Sequence, residues 1–244
     1  MKKNLFSKKL ATLLSAAICV AASTTHAVSI SESDIVSNWD SGASTGYRIQ
    51  YGGTNNNSSW IQSGNTVASN GNRTGSLVSD FVASGDWSFS TKIRNNGDND
   101  FSGIVFGFQD IANSYVLGWG GGGVSGLNGI QLFKGVAGVK TLLASQAGNW
   151  ASNVTYDFIA SRSGNNLTAT IKNGATTIFS QTVVDTSFMT GKVGFDTYSQ
   201  NTSFSFGSTD FTSNTQGVPD SGSTLALLGF AFAGVVAFKR RRGA

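Results

Sequence analysis

Residues 167–181 read LTATIKNGATTIFSQ, and this stretch decides the fold class. Leu167, Ala169 and Ile171 alternate with polar residues, which is the period of a half-buried β-strand. The pair Asn173-Gly174 separates this run from a second one at 175–181. An Asn-Gly pair between two such runs predicts a β-hairpin with a type I′ turn, so we expect an antiparallel sheet.

The same alternation continues on both sides of the hairpin. It predicts further strands at Trp87–Arg94, Val154–Ala160, Val193–Thr197 and Phe204–Phe206, and shorter ones at Ser114–Trp119 and Gly129–Phe133. Phe101–Phe108 is almost continuously apolar, as expected of a central strand covered on both faces. No convincing amphipathic helix appears in this region. We therefore expect residues 28–217 to form one all-β domain, a single antiparallel jelly-roll β-sandwich of about ten to twelve short strands.

The N-terminal end has the pattern of a signal peptide at residues 1–27. Four lysines precede the mostly apolar stretch Leu10–Ala22, and Thr25-His26-Ala27 then offers a site for signal peptidase. Cleavage after Ala27 would make Val28 the first residue of the mature chain.

The C-terminal end, 218–244, reads VPDSGSTLALLGFAFAGVVAFKRRRGA and has three parts in order. The turn-forming motif is Val218, Pro219, Asp220, Ser221 and Gly222; a membrane segment at 224–238 follows; and the basic tail is Lys239, Arg240, Arg241 and Arg242. The apolar part is shorter than the roughly 20 residues of a standard span, but it has no polar face, unlike a core helix. The four cations behind it match a cytoplasmic stop. An ordinary membrane anchor remains an alternative.

The same three parts closely resemble the VPDSG variant of the PEP-CTERM sorting signals. That resemblance implies an exosortase-like processing enzyme as a partner and transient insertion into the inner membrane. It also implies transfer to the cell surface or extracellular matrix of a Gram-negative-type bacterium that makes exopolysaccharide.

The two ends also determine the apparent charge of the chain. The chain has 17 basic and 13 acidic residues, but four of the basic residues precede Leu10 and four follow Phe238. Without these eight, nine basic and thirteen acidic side chains remain, a net charge of −4. A nucleic-acid partner is therefore not expected, because such binding needs clustered basic charge on the folded domain.

The mature chain is expected to lack both histidine and cysteine, because Cys19 and His26 precede the cleavage position. A disulfide, a zinc site of the usual Cys/His kind, and Ser-His-Asp or Cys-His nucleophiles are then excluded. We expect no catalytic residues and no enzyme activity from these classes.

Segment 95–100 reads NNGDND and is the best candidate for a metal site. Calcium takes six to eight oxygen ligands. The candidate ligands are Asp98, Asn99, Asp100 and, after the next strand, Asp110. Calcium is thus a candidate cofactor, and an ordinary Asx-rich turn is the open alternative.

Aromatic side chains beside loops could stack on sugar rings. The candidates are Trp60, Trp119 and Trp150, with packing in the core as the alternative for each. A glycosidase would need two carboxylates about 5 to 10 Å apart. Asp98 with Asp100 or Asp110 is the only local acidic cluster.

An ordered series of blocks between Asn65 and Phe211 resembles the C-terminal lectin-like domain of thrombospondins. The blocks are Asn99–Asp110, Asn113–Trp119, Gly129–Leu132, Trp150 before Thr155-Tyr156, Gly191–Phe195 and Ser203–Phe211. The resemblance implies a concanavalin A/laminin G-like jelly roll. The chain lacks that family's usual disulfide and its calcium-binding repeats.

These features lead to one functional expectation and two rivals. We expect a non-enzymatic, exported lectin-like module that binds extracellular polysaccharide or a surface protein. The rivals are a carbohydrate-active hydrolase on the same fold and a purely structural matrix protein.

Overall fold

A computed structural model of the chain describes residues 26–30, 39, 59–70, 73–97, 99–122, 126–200 and 204–213. They belong to one compact unit, Thr25–Thr215. Fourteen strands account for most of them: β1 His26–Ile30, β2 Ser59–Ser63, β3 Thr66–Asn70, β4 Arg73–Val78, β5 Trp87–Asn95, β6 Phe101–Asp110, β7 Asn113–Gly120, β8 Gly129–Val136, β9 Val139–Gln146, β10 Thr155–Ser163, β11 Asn166–Asn173, β12 Thr176–Val184, β13 Lys192–Gln200 and β14 Phe204–Ser213.

The strands form two antiparallel sheets, so the all-β sandwich predicted from the alternation is confirmed. The larger sheet has the order β12-β11-β10-β5-β14-β3-β2, with β1 also paired to β14. The smaller sheet has the order β4-β13-β6-β7-β8-β9. The chain crosses between the sheets after β3, β4, β5, β9, β12 and β13, which interleaves the two layers.

The hairpin at β11 and β12 forms as predicted, but its turn lies one residue later. Asn173 pairs with Thr176, so Gly174-Ala175 is the two-residue loop. Gly174 has a φ of 56°, whereas Ala175 is not among the residues with positive φ. A type I′ turn needs positive φ at both central residues, and a type II′ turn needs it only at the first. The predicted type I′ turn is therefore wrong, and glycine at the first position explains the difference.

The space between the sheets holds the main hydrophobic cluster. Phe195 is central to it, with its ring stacked on Phe206 at 4.4 Å between centroids and on Trp39 at 5.4 Å. Phe89 and Phe158 are buried from the opposite sheet. The alternating residues of β5, β10 and β11 thus face inward, as their period predicts.

The smaller sheet is buried on its outer face as well. In β6, Ile104 and Phe106 belong to the main cluster, whereas Phe101 and Val105 belong to a second one. We call this second set the outer cluster; its buried members are Val78, Phe101, Val105, Phe108, Val116, Leu127 and Phe133. The expectation that Phe101–Phe108 is covered on both faces is confirmed.

Both targeting segments lie largely outside the described residues. Strand β1 begins at His26 and spans the cleavage position predicted after Ala27. Its residues Val28–Ile30, which pair with Thr209–Phe211, would remain in the mature chain. The sorting motif, the membrane segment 224–238 and the basic tail lie wholly outside the described residues. Among the residues that are described, no helix is long and apolar enough to span a membrane.

One end of the sandwich is closed by a polar network. We call it the closed end; it carries the connections 79–86, 111–112, 137–138, 164–165 and 185–191. Arg162, only 2% exposed, donates to the backbone oxygens of Asp185 at 3.0 Å and Phe188 at 3.2 Å. Lys134 Nζ donates to Asp185 Oδ2 at 2.6 Å, and the Tyr115 hydroxyl donates to Asp185 Oδ1 at 2.5 Å.

Asp185 is therefore expected to be the most stabilising carboxylate of this network. Burial alone would raise the pKa of Asp185, but hydrogen bonds from Lys134, Tyr115 and Ser187 outweigh it and hold the pKa well below its usual range. We predict that Asp185→Asn lowers the free energy of unfolding at pH 7 by about 2 kcal/mol. Because the folded-state pKa lies below the unfolded value of about 4, this contribution is complete above about pH 5 and is lost as the pH falls below 4.

Urea denaturation at several pH values measures this effect. Asp157→Asn is the matched control, because its ion pair with Lys92 is more exposed, with side chains 25% and 48% accessible. We expect that control to cost less than about 1 kcal/mol. Equal losses for the two variants, or an Asp185 effect that is already absent at pH 5, would contradict the assignment.

Candidate functional site

Three connections meet at the end opposite the closed end. They join β5 to β6, β7 to β8 and β9 to β10, at 96–100, 121–128 and 147–154. We call their described residues, together with Arg94 and Asn95, the loop end. Antiparallel order alone places every second connection at the same end of a sandwich.

Hydrogen bonds join the first and third of these loops. Asn95 Oδ1 accepts from the Gly97 amide at 2.7 Å, and Asn95 O accepts from the Asn153 amide at 2.7 Å. Arg94 donates from Nε to Asn96 Oδ1 at 2.6 Å and from Nη2 to Asn153 Oδ1 at 3.3 Å. The exposed Arg94 thus bridges the two loops by two asparagine amides.

Gly121 joins the second loop to the other two. Its amide donates to Asp100 O at 3.3 Å. A Cβ at this position would lie 2.9 Å from Asn99 O and 2.9 Å from Trp150 Nε1, so only glycine fits without a shift of its neighbours. The structure therefore brings together Asn99, Asp100 and Trp150, three residues that the sequence singled out for separate reasons.

Trp119 is buried beneath this site, and its assignment as a stacking residue is wrong. It is 4% exposed, its Nε1 donates to Gly148 O at 2.9 Å, and its ring lies 4.9 Å from that of Tyr156. The Tyr156 hydroxyl in turn accepts from the Ala151 amide at 3.0 Å. These two aromatics therefore position the third loop from below and have no free face.

Trp60 and Trp150 are both half-buried against the main cluster. Trp60 lies on β2, 5.8 Å from Phe206 and 6.4 Å from Phe195 between ring centroids. Strand β2 is the edge of the larger sheet, three strands from β5, so Trp60 belongs to none of the three connections. Trp150 lies in the third loop and is the one predicted stacking residue at the loop end.

The predicted calcium ligands do not come together as one set. Asp110 ends β6, whereas Asp100 precedes the first residue of that strand, so about 30 Å of extended chain separates them. Asp110 Oδ1 instead accepts from the Ala112 amide at 2.7 Å and from Asn113 Nδ2 at 2.9 Å, which caps the turn after β6. Asp110 is therefore removed from the candidate metal site.

The other predicted ligands lie at the loop end or outside the described residues. Asn99 and Asp100 are at the loop end, and Asp98 lies outside the described residues. Within the described residues, no three His, Cys, Asp or Glu side chains are grouped to hold a metal ion.

Sequence reasoning missed four contributors to the loop end: Arg94, Gly121, Asn149 and Asn153. Asn149 lies at the site because its Nδ2 is 3.7 Å from the position of a Cβ on Gly122. The strand order places these three Asn- and Gly-rich connections at one end, but the strands predicted from the sequence lacked β9, which lies between the second connection and the third. Amides donate and accept hydrogen bonds, and an indole offers an apolar face, so this site suits an uncharged ligand with many hydroxyl groups.

The two tryptophans at this end should differ in their contribution to stability. We predict that Trp119→Ala lowers the free energy of unfolding by about 3–5 kcal/mol, as for a large buried aromatic. Trp150→Ala should cost about 1–2 kcal/mol, because the side chain is only half-buried. Urea denaturation measures both. A larger loss for Trp150 than for Trp119 would reverse the assignment of buried and accessible rings.

Comparison with known proteins identifies the C-terminal segment. Residues 217–242 match the VPDSG-CTERM motif, which supports a PEP-CTERM-like sorting signal and an exported, surface-associated protein. Among curated proteins, none matches the chain.

Solved structures similar to this chain are β-sandwich proteins. The carbohydrate-binding module CBM66 from Bacillus subtilis is 14% identical, covers 65% of this chain and 89% of its own, and has a TM-score of 0.49. The VIP36 exoplasmic/lumenal domain, in its Ca2+/Man3GlcNAc-bound form, is 10% identical, with coverage of 68% and 86% and a TM-score of 0.48. The GH43 protein BlXynB from Bacillus licheniformis is 14% identical, with coverage of 63% and 34% and a TM-score of 0.49. Likeness at this distance assigns neither a ligand nor an activity.

Proposed function

We propose that this protein is an exported, surface-sorted module that binds extracellular polysaccharide at the loop end. The observation that supports it is the convergence of Asn99, Asp100 and Trp150 around Gly121. The two hydrogen bonds of Arg94 hold the first and third loops together, so their amides are positioned before a ligand arrives. A site organised in advance loses less conformational entropy on binding.

The chemistry of the loop end matches a glycan better than a charged or apolar ligand. Side-chain amides both donate and accept, as sugar hydroxyls do. The Trp150 ring supplies an apolar surface for the C–H face of a sugar. Arg94 and Asp100 carry opposite charges, so the described site has no strong net charge that would select an ionic ligand. A surface protein is the alternative partner.

The proposal includes the route by which the chain reaches the surface. Signal peptidase would cleave after Ala27, and the segment 224–238 would hold the precursor in the inner membrane. An exosortase-like enzyme would then cleave near Val218–Gly222 and release the domain to the cell surface or extracellular matrix. The match of residues 217–242 to the sorting motif supports this route.

We propose binding without catalysis. The acidic residues nearest to Asp100 in the sequence are Asp98, outside the described residues, and Asp110, at the other end of β6, whereas hydrolysis of a glycosidic bond uses two carboxylates close together. One rival hypothesis is a hydrolase that pairs Asp98 with Asp100. The other is an entirely structural matrix protein. Calcium at Asp98, Asn99 and Asp100 stays a prediction, now without Asp110.

Polysaccharide binding tests the proposal. We expect the producer's own exopolysaccharide to retain the exported chain, and Trp150→Ala to weaken binding about tenfold or more, a loss of about 1.4 kcal/mol or more. Asn99→Ala should also weaken binding, because it removes a side-chain amide that can donate to and accept from sugar hydroxyls. Asn165→Ala is the matched control, because it changes an exposed asparagine at the closed end and should leave binding unchanged. Affinity electrophoresis or calorimetry measures the effect.

The same experiment distinguishes the rivals. Release of reducing sugar that Asp98→Asn and Asp100→Asn abolish would establish the hydrolase. Affinity for the polysaccharide that falls with EDTA and returns with calcium would establish calcium as a cofactor of binding. Binding that is absent under every condition, or equal losses for Trp150→Ala and Asn165→Ala, would overturn the proposed site.

Sorting is tested separately at the basic tail. Deletion of Lys239–Arg242 removes the cytoplasmic stop, so we expect processing to fail and most of the surface protein to be lost. Replacing Arg240, Arg241 and Arg242 by lysine keeps the charge and should preserve sorting. Cell fractionation with immunoblotting measures both variants. Normal surface display after the deletion would contradict a role of the tail.

A further inference from the structure

Strand β12 forms an edge of the larger sheet, and that edge is accessible. β11 is the only described strand that pairs with it, and six of its nine residues are exposed. It reads TTIFSQTVV, with no charged residue and no proline, the two residue types that usually protect an edge strand from further pairing. The edge strand β9 of the smaller sheet, in contrast, carries Lys140. The edge at β12 is therefore suited to pairing with another strand.

The hydrogen bonds at the end of β12 show which of its backbone groups face outward. The Asp185 amide, one residue past the strand, donates to Asn165 O at 3.2 Å, on the side of β11. In an antiparallel ladder, alternate residues direct both N–H and C=O to the same neighbour, and the residues between them direct theirs away. Ser180, Thr182 and Val184 therefore direct their N–H and C=O groups away from β11.

The hydroxyl groups on this edge do not compete for those backbone groups. The Thr182 hydroxyl lies 2.8 Å from that of Thr168, and the Ser180 hydroxyl lies 3.1 Å from that of Thr170. Both contacts are with β11, and both are expected of the pairs in a ladder whose side chains lie closest because they share no backbone hydrogen bonds. What the edge offers to a partner is thus its backbone.

The first part of β12 is less suited to pairing than the rest. A register shift between Ile171 and Lys172 marks a bulge, where Ile171 pairs with Phe179 and Lys172 pairs with Thr177. Gln146 Nε2, from β9, donates to the backbone oxygen of the residue at 178 at 3.1 Å. A bulge and an occupied carbonyl both hinder the addition of a strand. We call the remaining residues, 179–184, the open edge; they read FSQTVV.

We propose that the open edge pairs with the open edge of a second copy of this chain. A two-fold axis at Thr182 places Thr182 opposite the same residue of the second copy, and Ser180 opposite Val184. In that register each of the three outward residues exchanges both backbone hydrogen bonds with the residue opposite, so no outward group is left without a partner. No charge lies opposite a like charge.

The symmetry of this register favours a second copy over another extended chain. The same residues serve both sides, which is the rule for a two-fold interface, and the larger sheet continues through both copies. Antiparallel pairing places the loop end of one copy beside the closed end of the other. The pairing does not rest on the proposed function; only its consequence does, that two opposed loop ends can join two polysaccharide chains.

Proline at the two-fold axis tests the pairing in the exported full chain. Thr182→Pro removes an outward N–H, and proline is tolerated on an edge strand where the N–H faces solvent. We expect it to raise the dissociation constant of the dimer about tenfold or more, because two central hydrogen bonds of the pair are lost. Sedimentation equilibrium measures the constant. Dimers of unchanged affinity would overturn the proposal.

Charge at the axis gives a second test, also if the proline variant fails to fold, which circular dichroism checks. Thr182→Lys alone, or Thr182→Glu alone, should raise the dissociation constant about threefold or more, because like charges then lie opposite each other. An equal mixture of the two variants should regain the original affinity. Thr177→Lys is the matched control, because it changes an exposed threonine of the same strand outside the open edge; it should change nothing.

Further outcomes would overturn the pairing. One is a chain that stays monomeric at every concentration; another is equal effects of Thr182→Lys and Thr177→Lys; a third is a lysine and glutamate mixture that does not regain association. Loss of the dimer in Trp150→Ala would place the interface at the loop end instead. Absence of polysaccharide binding by an intact dimer would overturn the proposed function and support this inference as independent of it.

Discussion

Burial of the smaller sheet on both faces is the constraint on which the rest of this structure depends. Consecutive residues of β6 alternate between two hydrophobic clusters, with Ile104 facing the larger sheet and Val105 facing outward. The mature domain is expected to have no disulfide, so its stability comes from buried apolar area and hydrogen bonds alone. A sheet that buries side chains on two faces gains roughly twice the apolar area per strand. It also positions the loops, because β6 and β7 can shift only if both clusters repack.

The two ends of the sandwich differ in the polar groups they carry. At the closed end, Arg162 donates to backbone carbonyls of the connection after β12, and Asp185 accepts from Lys134 and Tyr115. These groups bond to one another and leave little capacity for a ligand. At the loop end, the polar groups are mostly short amides on three connections, held by Arg94 and Gly121. The same sandwich therefore has a charged network at one end and a group of amides joined by Arg94 at the other.

Alternation made most of the strands predictable, because a half-buried strand imposes a period of two on its sequence. Strand β9 was missed because it is an edge strand with exposed Val139 and Leu142, so its apolar residues follow no single face. Asp110 was predicted to join Asp98, Asn99 and Asp100 at one site. It does not, because β6 is one continuous strand and its two ends lie about 30 Å apart. The burial of Trp119 was predictable, since it has the same parity as Tyr115 and Leu117 on β7. What alternation cannot supply is which connections meet, and that determines the site.

The last strand runs from one end of the sandwich to the other. Strand β14 begins beside Asn95 at the loop end and finishes beside Trp87 at the closed end, where Ser213 is its last residue. Only residues 214–217 then precede the sorting motif. A ten-residue strand is about 30 Å long, so the chain leaves the sandwich about that far from Trp150 and Asn99. The last described strand therefore ends away from the residues of the proposed binding site.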